Sequence, residues 1–440
     1  MKKLNFQKLF CFISFLFILS CCIYYGTRFL KLYIENNKTE ELEKNSLVKV
    51  VRENNQDNQY FEIVNGENYF TNKADTNYLE YSNILFRIIK INSDTSITVI
   101  SDHSLSALAY GKNLSYKESS LYKWLNTTTE EYSGILEKSL HDPETYLQKT
   151  ESCYDSLPEI SNTPCKKTDK DNYITLLSVK DYLNAGSKDS YLNNNEYYYL
   201  SNNNEDEAKV WYVPSDGKAN LSTGDDIYGI RPVITIKANI DYVSGDGTKD
   251  NPYKIEKDNG LFGSYVKLDN DIWRIYQVND NEVRLMLNNY LQVNGTNLTY
   301  QYSSKNSYFD DYSRNSIAYY LNHDYLNSLS YKDKIKEVSW SNGYYNSKTE
   351  YDYTYSFKDT INSKVTMMSI GNIFLNSELT NYYTMTGTAE KSSSVYMIQN
   401  DYNIYTKQVS QKLNIVPTIS LDKSLLTKGT GTKDSPYEME

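Results

Sequence analysis

Residues able to do chemistry are few in this chain and poorly spaced for it. His103, His141 and His323 stand far apart, none beside another His or Cys at metal-ligand spacing, whereas a zinc site needs three or four such ligands together. They read as loop histidines, with no metal site. Walker, G-x-S-x-G, H-E-x-x-H and dinucleotide glycine patterns are absent. Gly245, Asp246, Gly247 and Asp250 offer the clustered oxygens of a calcium loop. The same stretch recurs at Gly429 to Asp434 without a carboxylate at the Asp246 position, and the bidentate glutamate of an EF-hand is missing. A turn explains it better. No catalytic residue and no cofactor is expected, and the chain reads as a non-enzyme.

Binding chemistry is better represented. Tyr197, Tyr198 and Tyr199 form one cluster among 45 tyrosines, and tyrosine beside Ser and Asn makes adaptable contact surface. An A·T-rich genome would also produce this composition. Arg231 lies on the face of its strand opposite Ile230, Ile234 and Ile236. Two roles are open to it: an ion-pair partner within the fold, or a contact to an anionic ligand group. Cys153 and Cys165 sit in a polar loop; outside the cell they can pair, closing a loop worth about 3 kcal/mol. Two unpaired thiols are the alternative. A net charge of −10 with no basic run argues against a nucleic-acid surface.

The elements that carry these residues are duplicated. Gly247-Thr248-Lys249-Asp250-Asn251-Pro252-Tyr253 returns as Gly431-Thr432-Lys433-Asp434-Ser435-Pro436-Tyr437, and upstream blocks match in the same order. Leu85 to Ile91 answers Ile272 to Val278, each followed by a polar turn and a second apolar run, which predicts a hairpin. Ser120 to Asn126 answers Ser316 to Asn322 as a serine-led short helix. Ile174 to Val179 answers Val365 to Ile370 as strand, serine cap and helix, with stripes Val179, Tyr182, Leu183 and Ile370, Ile373, Phe374. Val210 to Val213 answers Val395 to Ile398, and Ile230 to Ile236 answers Ile415 to Leu421; in the latter pair one strand face should be core. Pro232 and Pro417 should sit at a strand start or a sheet edge.

The expected fold class is α+β: an N-terminal transmembrane helix, then two tandem homologous domains, each a small antiparallel sheet with short helices. The boundaries are 1–34 for the cytoplasmic tip and anchor, 35–59 for a polar stalk, 60–257 for the first repeat and 258–440 for the second. Few contacts are expected to cross near Asp258 to Gly263. Residues 9–27 carry no charge and are long enough to cross a bilayer. Lys2, Lys3 and Lys8 ahead of them predict a single-pass protein of the cell membrane with its bulk extracellular. A lipoprotein processed at Cys21 and a cleaved signal are the alternatives.

The blocks Ser120 to Asn126, Tyr173 to Tyr182, Tyr198 to Ser201 with Val210 to Val213, and Gly229 to Val233 resemble a large uncharacterised bacterial surface domain family. Its pattern is W-L-N, L-L-S, Y-W-L-R-S, G-V-R-P, and it is distantly similar to C-type-lectin-like and formylglycine-generating-enzyme folds. In the second repeat Trp124, Trp211 and Arg231 become Tyr320, Tyr396 and Val416. The resemblance implies two short helices around a twisted antiparallel sheet. It brings no activity, because the lectin Glu-Pro-Asn triplet and the enzyme cysteines are absent. The functional expectation is a membrane-anchored surface protein that binds a glycan or protein, with its ligand site in the first repeat near Arg231 and Tyr197 to Tyr199. A structural envelope component, and behind it an extracellular hydrolase using paired carboxylates, are the alternatives.

Overall fold

The computed structural model describes residues 46–310, 313–349, 352–376, 379–399 and 404–439, with Gly26. The expected membrane span, 9–27, therefore lies outside the described residues apart from that glycine. Among those described, no helix is long and apolar enough to cross a membrane. The chain is mostly strand, in several small sheets, with short helices.

Both repeats follow one two-sheet plan. The first sheet of repeat one runs Phe61–Val64, Glu67–Phe70, Ile84–Ile91, Ile97–Ser101, Val233–Ile236, Ile174–Thr175, with Tyr78–Tyr81 also pairing Ile84–Ile91. Repeat two runs Val365–Met367, Pro417–Asp422, Glu282–Leu287, Asp271–Val278, Tyr265–Leu268. The registers coincide: Ile174 faces Ile234 and Val365 faces Ile419. So do the irregularities, between Ile88 and Lys90 and between Ile275 and Gln277. Each repeat also has a five-stranded sheet, in which Tyr198–Asn204 matches Tyr382–Gly387.

The repeated Gly-Thr-Lys-Asp turn closes each unit. Gly247 and Gly431 have φ of +85° and +73°, and an added Cβ at either would collide with the ring of Tyr253 or Tyr437. Only glycine fits that close approach in the left-handed region. The turn delivers Tyr253–Lys254 and Tyr437–Met439 parallel to the first strand of each unit, Tyr78–Tyr81 and Tyr265–Leu268. These tails are parallel additions to largely antiparallel sheets. The prolines obey the ladder rule: Pro232 precedes Val233–Ile236 and Pro417 opens Pro417–Asp422.

Three sequence expectations need correction. The stretch assigned as a stalk joins the first repeat from Ser46: its side chain caps the helix Leu47–Asn54, which buries Leu47, Val48 and Val51 in that repeat's core. The strand Val233–Ile236 is buried on both faces. Ile234 and Ile236 face one core, while Val233 belongs to a second core with Trp211, Val179 and Tyr182. The helix Val179–Asn184, capped by Ser178, supplies part of that second cover.

The third correction concerns the matching helix of repeat two, which does not form. Gly371 stands at φ +87° where repeat one has Lys180, and the segment turns away. Ile370 and Ile373 enter the core of repeat one. Phe374 N–H donates to Leu105 O at 2.8 Å, Ser106 Oγ to Asn372 O at 2.9 Å, and Trp124 Nε1 to Gly371 O at 2.9 Å. Tyr345 OH accepts from Ala109 N–H at 3.2 Å. The repeats thus meet through hydrogen bonds and through a shared apolar core that Tyr345, Tyr353, Ile370, Ile373 and Tyr396 enter. The junction itself is tied down, with Asn83 Nδ2 donating to Phe262 O at 2.8 Å and Asn259 Nδ2 to Glu80 Oε1 at 3.1 Å.

Candidate functional site

The ligand-binding residues expected in repeat one are mostly inside the protein. Arg231 is fully buried: Nε donates to Ser101 O at 3.0 Å, Nη1 to Leu192 O at 2.7 Å, and the guanidinium lies over the Tyr198 ring. Arg231 lies between the strands Ile227–Ile230 and Val233–Ile236 and faces the protein interior instead of solvent, held by backbone carbonyls, with no ion pair to it among the described residues. Tyr198 and Tyr199 are also fully buried, donating to Leu192 O and Asp226 O. Tyr199 meets Tyr110 edge-on at 5.4 Å, and in repeat two Tyr383 meets Tyr302 in the same way at 5.6 Å. A geometry kept in both copies belongs to the fold. Tyr197 alone stays half-exposed, beside Tyr212 and Tyr228.

Cys153 and Cys165 are joined as a disulfide with Cα atoms 5.8 Å apart. With Asp155 they are the one His/Cys/Asp/Glu group among the described residues close enough to hold a metal, but disulfide sulfur is not the thiolate a metal takes. Asp246 accepts from the Thr248 N–H and hydroxyl and shapes its own turn. His103 donates to or accepts from Glu196 at 2.6 Å, with Asp102 at 3.5 Å on its other side. Burial lowers its pKa, but the Glu196 hydrogen bond and the two carboxylate charges prevail and raise it. His141 meets Glu256 at 2.9 Å beside the junction; burial raises the Glu256 carboxyl to about 7, against the opposing pull of Ser82 N–H and His141. His323 stacks on Tyr319.

A more open concavity lies elsewhere. A cleft of ≈ 470 Å³ runs between the repeats. Its wall from repeat one is Glu131 to Ser133 and the helix Ile135–Ser139. Repeat two supplies the strand end Tyr276 to Asn279, Arg284, Trp340, Phe357, Met367 and Ile373. Tyr132 stacks on Phe357 at 4.6 Å and 10°, and its backbone carbonyl accepts from Tyr353 OH. Arg284 lies over the Trp340 ring at 4.6 Å, while Trp340 Nε1 is anchored on Ser363 O at 2.8 Å. No family model, curated protein or solved structure matches this chain.

The cleft exists because of the missing helix. In repeat one Lys90 is held by Asp181 of the helix Val179–Asn184, at 3.2 Å, and by Glu67 at 3.1 Å. Its counterpart in repeat two is Gln277, and that of Asp181 is Asn372; both line the cleft instead of joining a helix to a sheet. Sequence comparison missed Tyr132, Trp340 and Phe357, because they fall in stretches where the two copies do not align, and Arg284, because its counterpart in the matched hairpin is Thr98 and the charge belongs to one copy only. The usable signal was a difference: residues 61–70 precede the first strand of repeat one, and repeat two has no equivalent.

Proposed function

We propose that this chain is a membrane-anchored surface protein that binds a glycan or protein of its surroundings without transforming it, and that the cleft between the repeats is where it does so. The observation that carries the reading is the composition of that cleft. Aromatic groups from both repeats, an arginine and side-chain amides converge on a concavity of the size ligand pockets have, about 300–1,000 Å³. Glu131 is the lone carboxylate in its lining, whereas glycoside hydrolysis uses two. Binding suits that set better than hydrolysis. The resemblance to lectin-like folds fits the same role.

The test is binding of envelope extracts and cell-wall glycan fragments to the full chain, compared with Tyr132→Ala and Arg284→Ala. Saturable binding weakened at least about tenfold by either variant, at unchanged melting temperature, is expected. Binding that both variants leave intact would place the site elsewhere.

A further inference from the structure

The duplication shows what belongs on one open edge of the cleft. In repeat one the strand Ile84–Ile91 is covered along its distal half by the hairpin Phe61–Val64/Glu67–Phe70, with Asn68 facing Ile91 and Tyr69 facing Lys90. Repeat two keeps the strand, Asp271–Val278, and lacks the hairpin. Its neighbour Tyr265–Leu268 covers only Asp271 to Arg274 of this strand, Gly263 and Ser264 carry the backbone hydrogen bonds on to Ile275, and among the described residues no strand pairs the outer edge at Gln277 and Val278. Asn279 N–H donates inward to Glu282 O at 2.8 Å. By the alternation of an antiparallel ladder, the N–H and C=O of Val278 point to the other edge.

Burial marks the same vacancy. Ile91, under the hairpin, is 1% exposed; its counterpart Val278 is 39% exposed. An unpaired edge carrying an exposed apolar side chain is a template for another strand. Here it lines the cleft, with Tyr132 of repeat one on the opposite wall. A concavity of ≈ 470 Å³ shared by both repeats suits a short extended segment better than the edge of a second folded sheet.

Resting on the cleft as the binding site, we infer that its ligand is an extended peptide segment of a partner protein, added antiparallel to the Tyr276 to Asn279 edge in the place that Glu67–Phe70 holds in repeat one. Main-chain hydrogen bonds to Val278 fix the strand. One face of the peptide meets the apolar floor. Glu67 sets the pattern for an acidic residue in the strand, since it reaches Lys90 in repeat one, and here Arg284 and Lys138 supply the cations.

The probe is a fluorescein-labelled peptide with the sequence of residues 66–72, Gly-Glu-Asn-Tyr-Phe-Thr-Asn, titrated by anisotropy against the full chain in detergent. Saturable binding is expected, weakened at least about tenfold by Val278→Pro, which removes the edge N–H. A second peptide, with proline in place of Asn68, leaves the protein untouched and should bind as poorly, so misfolding of the Val278 variant cannot mimic the result. Hydrogen exchange should show the Val278 amide protected by the first peptide only. No saturable binding, or binding indifferent to both prolines, overturns the inference. If glycan fragments bind and Tyr132→Ala abolishes that while the peptide does not bind, the cleft stands and the strand falls; if neither binds, both fall.

Discussion

Arg231 and Glu256 show how burial assigns a residue its work. Arg231 donates to two buried backbone carbonyls, Ser101 O and Leu192 O, the second shared with the Tyr198 hydroxyl, so Arg231→Ala should destabilise the protein by about 3 kcal/mol, the loss of two charged hydrogen bonds. Ligand affinity of the folded variant should not change; urea unfolding and a binding titration check the two halves of that statement. Glu256 and His103 both hold protons more tightly folded than unfolded. For Glu256 the folded pKa of about 7 exceeds the ordinary 4.5, so its contribution falls as pH rises between those values. His103, also raised, contributes fully below its unfolded pKa and loses that contribution as pH rises through the folded one. Stability should therefore decline from pH 5 to pH 8. Glu256→Gln should recover on the order of 2–3 kcal/mol of that decline, measured by urea melts at both pH values; an unchanged slope would remove Glu256 from the account.

At the scale of elements, the duplication made much of the fold legible before any coordinates. Hairpins, prolines at strand starts and the closing turn are where matched blocks put them, because these features depend on local φ, hydrogen-bond supply and period-two burial. The tail strand bears a direct test: stopping the chain after Lys428 removes Tyr437–Met439 and the parallel pairs Val266 to Tyr437 and Lys267 to Glu438. Its melting temperature should fall by about 1–3 °C, as a loss of about 1–2 kcal/mol implies for a cooperative body of this size. What the blocks could not show was context. Ile370, Ile373 and Phe374 keep a helical stripe, yet the segment makes a turn at Gly371 and runs irregularly into the core of repeat one. Arg231 looked solvent-facing because a strand pattern reports one buried face and is silent about a second cover. Tyr198 and Tyr199 looked like a binding loop until Tyr382 and Tyr383 proved to be packed in the same way.

Across the whole molecule, the departures from repeat symmetry concentrate where the halves meet. Trp124 is a tyrosine in repeat two because only the first copy has a Gly371 carbonyl to reach; Tyr396 replaces Trp211 and its hydroxyl donates to Tyr345 O at 2.6 Å, beside the same interface. A polar linker suggested two independent domains. The buried set of Trp124, Tyr345, Tyr353, Ile370 and Ile373 argues for one cooperative body, since exposing such side chains costs about 1.5–3 kcal/mol each. The full chain should accordingly unfold in a single calorimetric transition. Residues 46–257 alone should melt well below it and expose apolar surface to a hydrophobic dye. Trp124→Phe, which keeps an aromatic ring of smaller volume and loses the bond to Gly371, should cost about 1–2 kcal/mol more in the full chain than in the isolated repeat, where only the cavity term applies. Equal losses in both would mean that Trp124 serves only its own core and that the halves are merely tethered.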